Sequence, residues 1–145
     1  MYEIIIAIVL VIISGAAIGL QAPIAGEMSP RVGSITTAFI IHLVGTILSG
    51  VLLTLRGYEQ LHNWRQLKWY MWAIGGVGVV LYLSFAYAIP RLGAASTLVM
   101  LLIGQLCAGM LVDHLGLFNL PIQHINFSRM IALILLITGG YLMMK

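Results

Sequence analysis

The wide spacing of the charged residues constrains the fold of this chain more than any other feature. Five intervals free of Asp, Glu, Lys and Arg lie at residues 4–26, 32–55, 69–90, 92–112 and 130–144. A membrane-spanning helix needs about 20 predominantly apolar residues, and the first four intervals reach that length. The intervals lack the alternation of a β-barrel strand. The sequence therefore predicts an all-α polytopic membrane protein, with five transmembrane helices in a single transmembrane domain over residues 1–145.

The composition agrees with a lipid environment. Of the 145 residues, 61% are hydrophobic and 8% are charged, which is too few charges to cover the surface of a soluble domain. The formal net charge of +3 comes from scattered basic residues, so we expect no nucleic-acid partner. Because no basic segment precedes the first apolar interval, we expect it to remain a membrane helix rather than a cleaved signal peptide.

The fifth interval, residues 130–144, is short for a bilayer. Arg129 and Lys145 flank it, and their long side chains can reach from the helix ends toward the head groups. The helix can also begin earlier, with Asn126 or Ser128 as its N-cap. We therefore count this interval as a span.

The basic residues are almost equally divided between the two membrane faces. With five spans, one face carries four Lys and Arg residues and the other carries three: Arg56, Arg65, Lys68 and Arg129 against Arg31, Arg91 and Lys145. Such a weak bias is compatible with insertion in both orientations, so that a chain pairs with its own inverted copy. The alternative is a single orientation fixed by the N-terminus or by a partner chain.

Few polar side chains lie inside the predicted spans, and each needs a partner or a water-filled space. The candidate substrate-binding residues are Gln21, His42, Tyr82 and Gln105. His42 shares a polar helix face with Gly45, Thr46 and Ser49, and it could bind a solute or carry a proton near neutral pH. The alternative for all four residues is a hydrogen bond between helices.

Small residues in the spans indicate where helices approach one another. The predicted packing glycines are Gly15, Gly19, Gly45, Gly75 and Gly109. The short connections at residues 27–31 and around Arg91 predict tight helical hairpins.

Nothing in the sequence indicates catalysis. The four histidines are scattered, Cys107 has no nearby base, and we find no metal or phosphate motif. No acidic residue lies within a span. Asp113, at the end of the fourth span, favours a helix-end or loop role over that of a buried proton carrier. We therefore expect no enzyme, cofactor or metal.

Three stretches of the chain carry a family resemblance: residues 19–24 (GLQAPI), residues 39–46, and residues 104–106 (GQL) followed by 113–118 (DHLGLF). They resemble the YdcZ-like small-chain family of the drug/metabolite transporter superfamily, whose other branches include EamA-type proteins. The resemblance implies a bacterial inner-membrane protein that forms half of a ten-helix transporter, with members that occur as inverted pairs.

Two hypotheses of function follow. In the first, the chain is a secondary transporter of a small metabolite or drug-like solute and works as an antiparallel homodimer or with a related chain. In the second, it is a structural or accessory subunit that docks on a partner membrane protein. A four-helix multidrug efflux pump is less favoured, because Glu3 lies at the very start of the first helix rather than within it.

Overall fold

The computed structural model describes residues 2–145, and none of these residues lies in a β-strand. The helices are α1 (Tyr2–Val32), α2 (Ser34–Leu55), α3 (Trp69–Leu92), α4 (Ala94–Leu115) and α5 (Phe127–Met143). Short 3-10 helices, at Leu61–Gln66 and Leu117–Asn119, lie in the two longer connections. The prediction of an all-α fold is confirmed.

Four of the helices, α1 to α4, are long and apolar enough to cross a membrane. The fifth, α5, has 17 residues and is shorter. It begins at Phe127, and the side chain of Asn126 accepts a hydrogen bond from the Arg129 backbone N–H at 2.9 Å. The prediction of an N-cap before Arg129 is therefore confirmed at Asn126, while the role of α5 as a fifth span remains a prediction.

The first hairpin turns later than the charges suggested. Residues 27–31, predicted as a connection, belong to α1, which continues through Pro23 and Pro30 to Val32. A salt bridge of 2.7 Å between Glu27 and Arg31, four residues apart, lies along this last part of the helix. Charges mark where a span leaves the hydrocarbon, but the helix itself ends only where the backbone turns.

Both tight hairpins turn at a glycine, within the matching sequences PRVGSITT and PRLGAAST. Gly33 has φ 88° and ψ 151°, and Gly93 has φ 78° and ψ 162°, a conformation essentially restricted to glycine. The side chains of Thr37 and Thr97 donate to the carbonyl oxygens of Gly33 and Gly93, at 2.9 and 2.8 Å. The two corners therefore share the pattern Pro-Arg-x-Gly-x-x-x-Thr and the same local structure.

The chain divides into two compact units, Met1–Ala88 and Ile89–Lys145. In the first unit α1 packs against α2, and in the second α4 packs against α5. The fully buried residues are few and mostly small; they include Ala22, Ala25 and Thr37 in the first unit. Most of the large apolar side chains stay exposed, as expected for helices that face lipid.

A close approach within the second unit is made by a glycine that sequence reasoning missed. Gly140 on α5 is buried, and a Cβ atom there would lie 2.9 Å from Val99, 3.0 Å from Met100 and 3.2 Å from Ile103, all on α4. The Ser96 hydroxyl donates to the carbonyl oxygen of Met143 at 3.1 Å. Together these contacts bring the C-terminal half of α5 against the N-terminal half of α4.

The glycines predicted for packing have open space beside them. Apart from the adjoining backbone of the same helix, no atom in the described part of the chain lies within 4 Å of the position that a Cβ atom would occupy at these residues: Gly15, Gly19, Gly45, Gly75 and Gly109. Their packing role remains a prediction. It would involve contacts that this single chain does not make.

Candidate functional site

His42, on α2, is held by its own helix. Its Nδ1 atom lies 2.7 Å from the carbonyl oxygen of Ala38, one turn earlier. Because a carbonyl oxygen only accepts hydrogen bonds, Nδ1 must carry the proton and donate it. In the neutral ring, Nε2 is then the atom with the free lone pair, which makes it a hydrogen-bond acceptor.

The His42 ring faces α3 and packs against two residues that lie one turn apart on that helix. Its centroid lies 5.3 Å from that of the Tyr82 ring, edge to face at 85°. A Cβ atom on Gly78 would lie 2.6 Å from the His42 Nε2 atom, closer than real contacts allow. Tyr82 is 8% exposed and also meets Phe85, at 6.1 Å between ring centroids. The structure thus brings together two of the four predicted site residues, His42 and Tyr82. The absence of a side chain at Gly78 leaves space for the His42 ring.

Gln21, on α1, is placed differently. Its side chain is exposed, although its neighbour Ala22 is fully buried. The described contacts of Gln21 do not join it to His42 or Tyr82. Its predicted part in solute binding therefore has no contact within the first unit to support it.

Gln105 lies in the second unit, on the wall of a cleft between α4 and α5. The cleft has a volume of about 270 Å³. It is lined by Gln105, Leu106, Gly109, Met110, Asp113, Arg129 and Ala132. The cleft thus combines one amide and a pair of oppositely charged side chains with an otherwise apolar wall. Such a combination is typical of small-molecule sites.

The charge pair of the cleft also ties down the connection between α4 and α5. Arg129 Nη1 lies 3.4 Å from Asp113 Oδ2, and the two side chains are 29% and 36% exposed. Arg129 donates to both the backbone and the side-chain oxygen of Gln123. The Gln123 backbone N–H donates to the carbonyl oxygen of Asp113 at 2.9 Å. Asp113 thus lies in the last turns of α4, and Arg129 pairs with it rather than extending freely toward head groups.

A protein-family comparison identifies the chain. Residues 6–142 match the family model described as "Putative inner membrane exporter, YdcZ". The chain belongs to the YdcZ family. No curated protein and no solved structure matches it.

The YdcZ match confirms the family resemblance seen in the sequence. It also confirms the localisation, because the family is one of inner-membrane proteins and the chain has several helices able to span a membrane. The same two findings support a membrane transporter rather than an enzyme.

This YdcZ-family chain carries a further polar contact outside the cleft. The rings of His114 and His124 lie 5.4 Å apart, and the Ile125 backbone N–H approaches His114 Nδ1 at 3.4 Å. Within residues 2–145 no group of three or more His, Cys, Asp and Glu side chains is placed to hold a metal ion. The ring contact and the Ile125 hydrogen bond join the end of α4 to the connection that follows it.

The sequence reasoning missed Gly78, Arg129 and Gln123 as parts of these sites. Arg129 could have been found, because it follows the long connection that begins beside the opposite charge of Asp113. Gly78 gave no separate signal among its neighbouring glycines, since only the position of the His42 ring distinguishes it.

Proposed function

We propose that this YdcZ-family chain is one half of a secondary transporter, which moves a small metabolite or drug-like solute as a dimer of two five-helix halves. The observation that carries the proposal is the contact of His42 with Tyr82 and Gly78, set among membrane-length helices. An ionisable side chain at such a depth is costly and is typical of a transport pathway. Its fixed proton on Nδ1 leaves Nε2 to meet a solute.

Each of the other candidate residues is assigned a solute contact within its own unit. We assign Tyr82 a hydroxyl contact with the solute, and Gln105 a contact from its cleft. Gln21 is assigned to the same pathway, where its exposed amide would face a second chain or the solute. Polar groups of these types fix the orientation of a ligand in a mostly apolar site.

Pairing of two chains has its own support. The predicted packing glycines have open space beside them, and small residues let membrane helices approach closely. The near balance of basic residues on the two faces permits an inverted pair. We therefore propose an antiparallel homodimer, with α5 as the fifth span of each half.

The first test concerns transport. In cells that produce the chain, we would compare the export of a panel of radiolabelled amino acids and fluorescent cationic dyes between the unmodified protein and His42→Ala. His62→Ala is the matched control, because His62 is exposed and lies in the 3-10 helix Leu61–Gln66. We expect His42→Ala to reduce export at least tenfold and His62→Ala to leave it unchanged. Equal export by both variants would refute the role of His42.

The second test concerns orientation. Two reporters, one active only in the cytoplasm and one active only outside, would each be fused after Lys145. We expect signal from both, because the inverted pair requires insertion in both directions. Signal from only one reporter would contradict the inverted homodimer.

If the chain is an accessory subunit, the glycines with open space beside them would instead contact another membrane protein. A subunit that docks on another protein would purify as a fixed complex with that larger partner. A chain that purifies by itself as a stable dimer would contradict the accessory role.

A further inference from the structure

The cleft between α4 and α5 runs along one helix face. Gln105, Gly109 and Asp113 follow each other at intervals of four residues on α4, so their side chains lie above one another. At 1.5 Å per residue, the distance from Gln105 to Asp113 along the helix is about 12 Å. The apolar part of the wall is formed by Leu106, Met110 and Ala132. The cleft therefore has the charge pair at one end, an apolar wall in the middle and the Gln105 amide at the other end.

The charge pair at one end has unused bonding capacity. The 3.4 Å separation of Arg129 Nη1 and Asp113 Oδ2 is longer than the roughly 2.7–2.9 Å of a strong charge-assisted hydrogen bond. A guanidinium group has about five N–H donors, and the described hydrogen bonds of Arg129 use Nη1 twice and Nη2 once. The Nε donor and the second Nη2 donor remain, and the Asp113 carboxylate accepts only from Arg129 among the described bonds.

A ligand with one charge would match only half of this pair. An anion that bound Arg129 would compete with Asp113 and be repelled by it, and a cation that bound Asp113 would meet the same difficulty with Arg129. A zwitterion offers a carboxylate to the spare guanidinium donors and an ammonium group to the carboxylate. Both protein charges then keep a partner, which avoids the penalty of leaving a part-buried charge unpaired.

The size of the cleft limits the rest of the ligand. Its volume of about 270 Å³ equals about nine molecules of liquid water at roughly 30 Å³ each. The apolar wall favours a hydrocarbon side chain beside the charged groups. A small amino acid with an apolar side chain has these properties.

We propose that this cleft binds a zwitterionic, amino-acid-like solute, with its carboxylate on Arg129, its ammonium group on Asp113 and its apolar side chain along Met110 and Ala132. As a transport substrate this solute rests on the proposed function, but its binding does not. Arg129 also ties down the connection through Gln123, so the alternative is a purely structural role of the pair.

The experiment measures the melting temperature of the purified full chain in detergent with three matched probes. These are L-leucine, 4-methylpentanoate, which lacks the ammonium group, and 3-methylbutylamine, which lacks the carboxylate. We expect L-leucine to raise the melting temperature in a saturable way and the other two to act at least tenfold more weakly. No shift with L-leucine, or an equal shift with either other probe, would overturn the proposal.

Variants locate the binding. Asp113→Asn and Arg129→Gln should each weaken the L-leucine effect at least tenfold. Ala132→Leu fills the cleft without changing a charge and should abolish the effect even if a charge variant fails to fold. Gln123→Ala loosens the connection but keeps both charges, so its shift with L-leucine should persist. If Gln123→Ala also lost the melting-temperature shift with L-leucine, the Asp113–Arg129 pair would have a purely structural role.

Binding and transport are then separated in proteoliposomes loaded with labelled L-leucine. Binding by the purified chain without release of L-leucine from the vesicles would keep the site and refute the proposed transport. Release that is unaffected by Asp113→Asn would keep transport and refute the site.

Discussion

Gly78→Ala tests the position of the His42 ring with the smallest possible change. The added methyl group would lie 2.6 Å from Nε2, so the imidazole must move. Movement breaks the hydrogen bond to Ala38, worth about 0.5–1.5 kcal/mol, and the edge contact with Tyr82, worth about 0.5–1.5 kcal/mol. In a helix interior, alanine stabilises the folded protein by about 0.5–1 kcal/mol relative to glycine. We expect a net destabilisation of about 1 kcal/mol.

A double-mutant cycle isolates the overlap between the added methyl group and the His42 ring. In the His42→Ala background the obstacle is gone, so Gly78→Ala should stabilise the protein by about 0.5–1 kcal/mol. The sign of the effect therefore reverses between the two backgrounds. Gly76→Ala is the matched control on the same helix, because open space surrounds it, and it should stabilise in both backgrounds.

The measurement is the free energy of unfolding of the purified protein, by denaturant titration in mixed micelles. If Gly78→Ala stabilised the unmodified protein as much as Gly76→Ala does, the His42 ring could not lie where the structure places it. The contact that supports the proposed pathway would then be refuted as well.

Two further predictions concern backbone corners and helix packing. Gly33→Ala and Gly93→Ala should each cost about 1–3 kcal/mol, because their φ and ψ values are essentially restricted to glycine, whereas Gly50→Ala in open space should be neutral or stabilising. Equal unfolding free energies for the corner and control variants would contradict the corner geometry. Gly140→Val should destabilise by about 1–3 kcal/mol through overlap with α4, and Gly139→Val should not. Equal effects in the same denaturant titration would place another face of α5 against α4.

The positions of the helices could be predicted because lipid imposes a simple rule on sequence. A backbone in hydrocarbon must satisfy its own hydrogen bonds, so a long uncharged interval becomes a helix. The rule does not fix the ends. α1 extends to Val32 with its last charged residues paired along the helix, and the chain turns only at Gly33.

The candidate sites could be predicted residue by residue but not as sets. His42 and Tyr82 stood out as polar groups at depth, yet no local pattern joins residues on different helices. Their contact depends on Gly78, which differs from nearby glycines only in what lies opposite. Asp113 and Arg129 lie in separate predicted segments, and their pairing depends on how α4 and α5 pack.

The packing of α5 supports its proposed role as a fifth span. It contacts α4 near both ends: Asp113 pairs with Arg129 at the start of α5, and Ser96 donates to Met143 at its end. A helix that lay along the membrane surface could not contact both ends of a 22-residue membrane helix. The 17 residues of α5 measure about 25 Å, against a hydrocarbon core of about 30 Å. Lys145, just beyond the end of α5, suits this small deficit, because a basic side chain at the end of a short span can reach the interface.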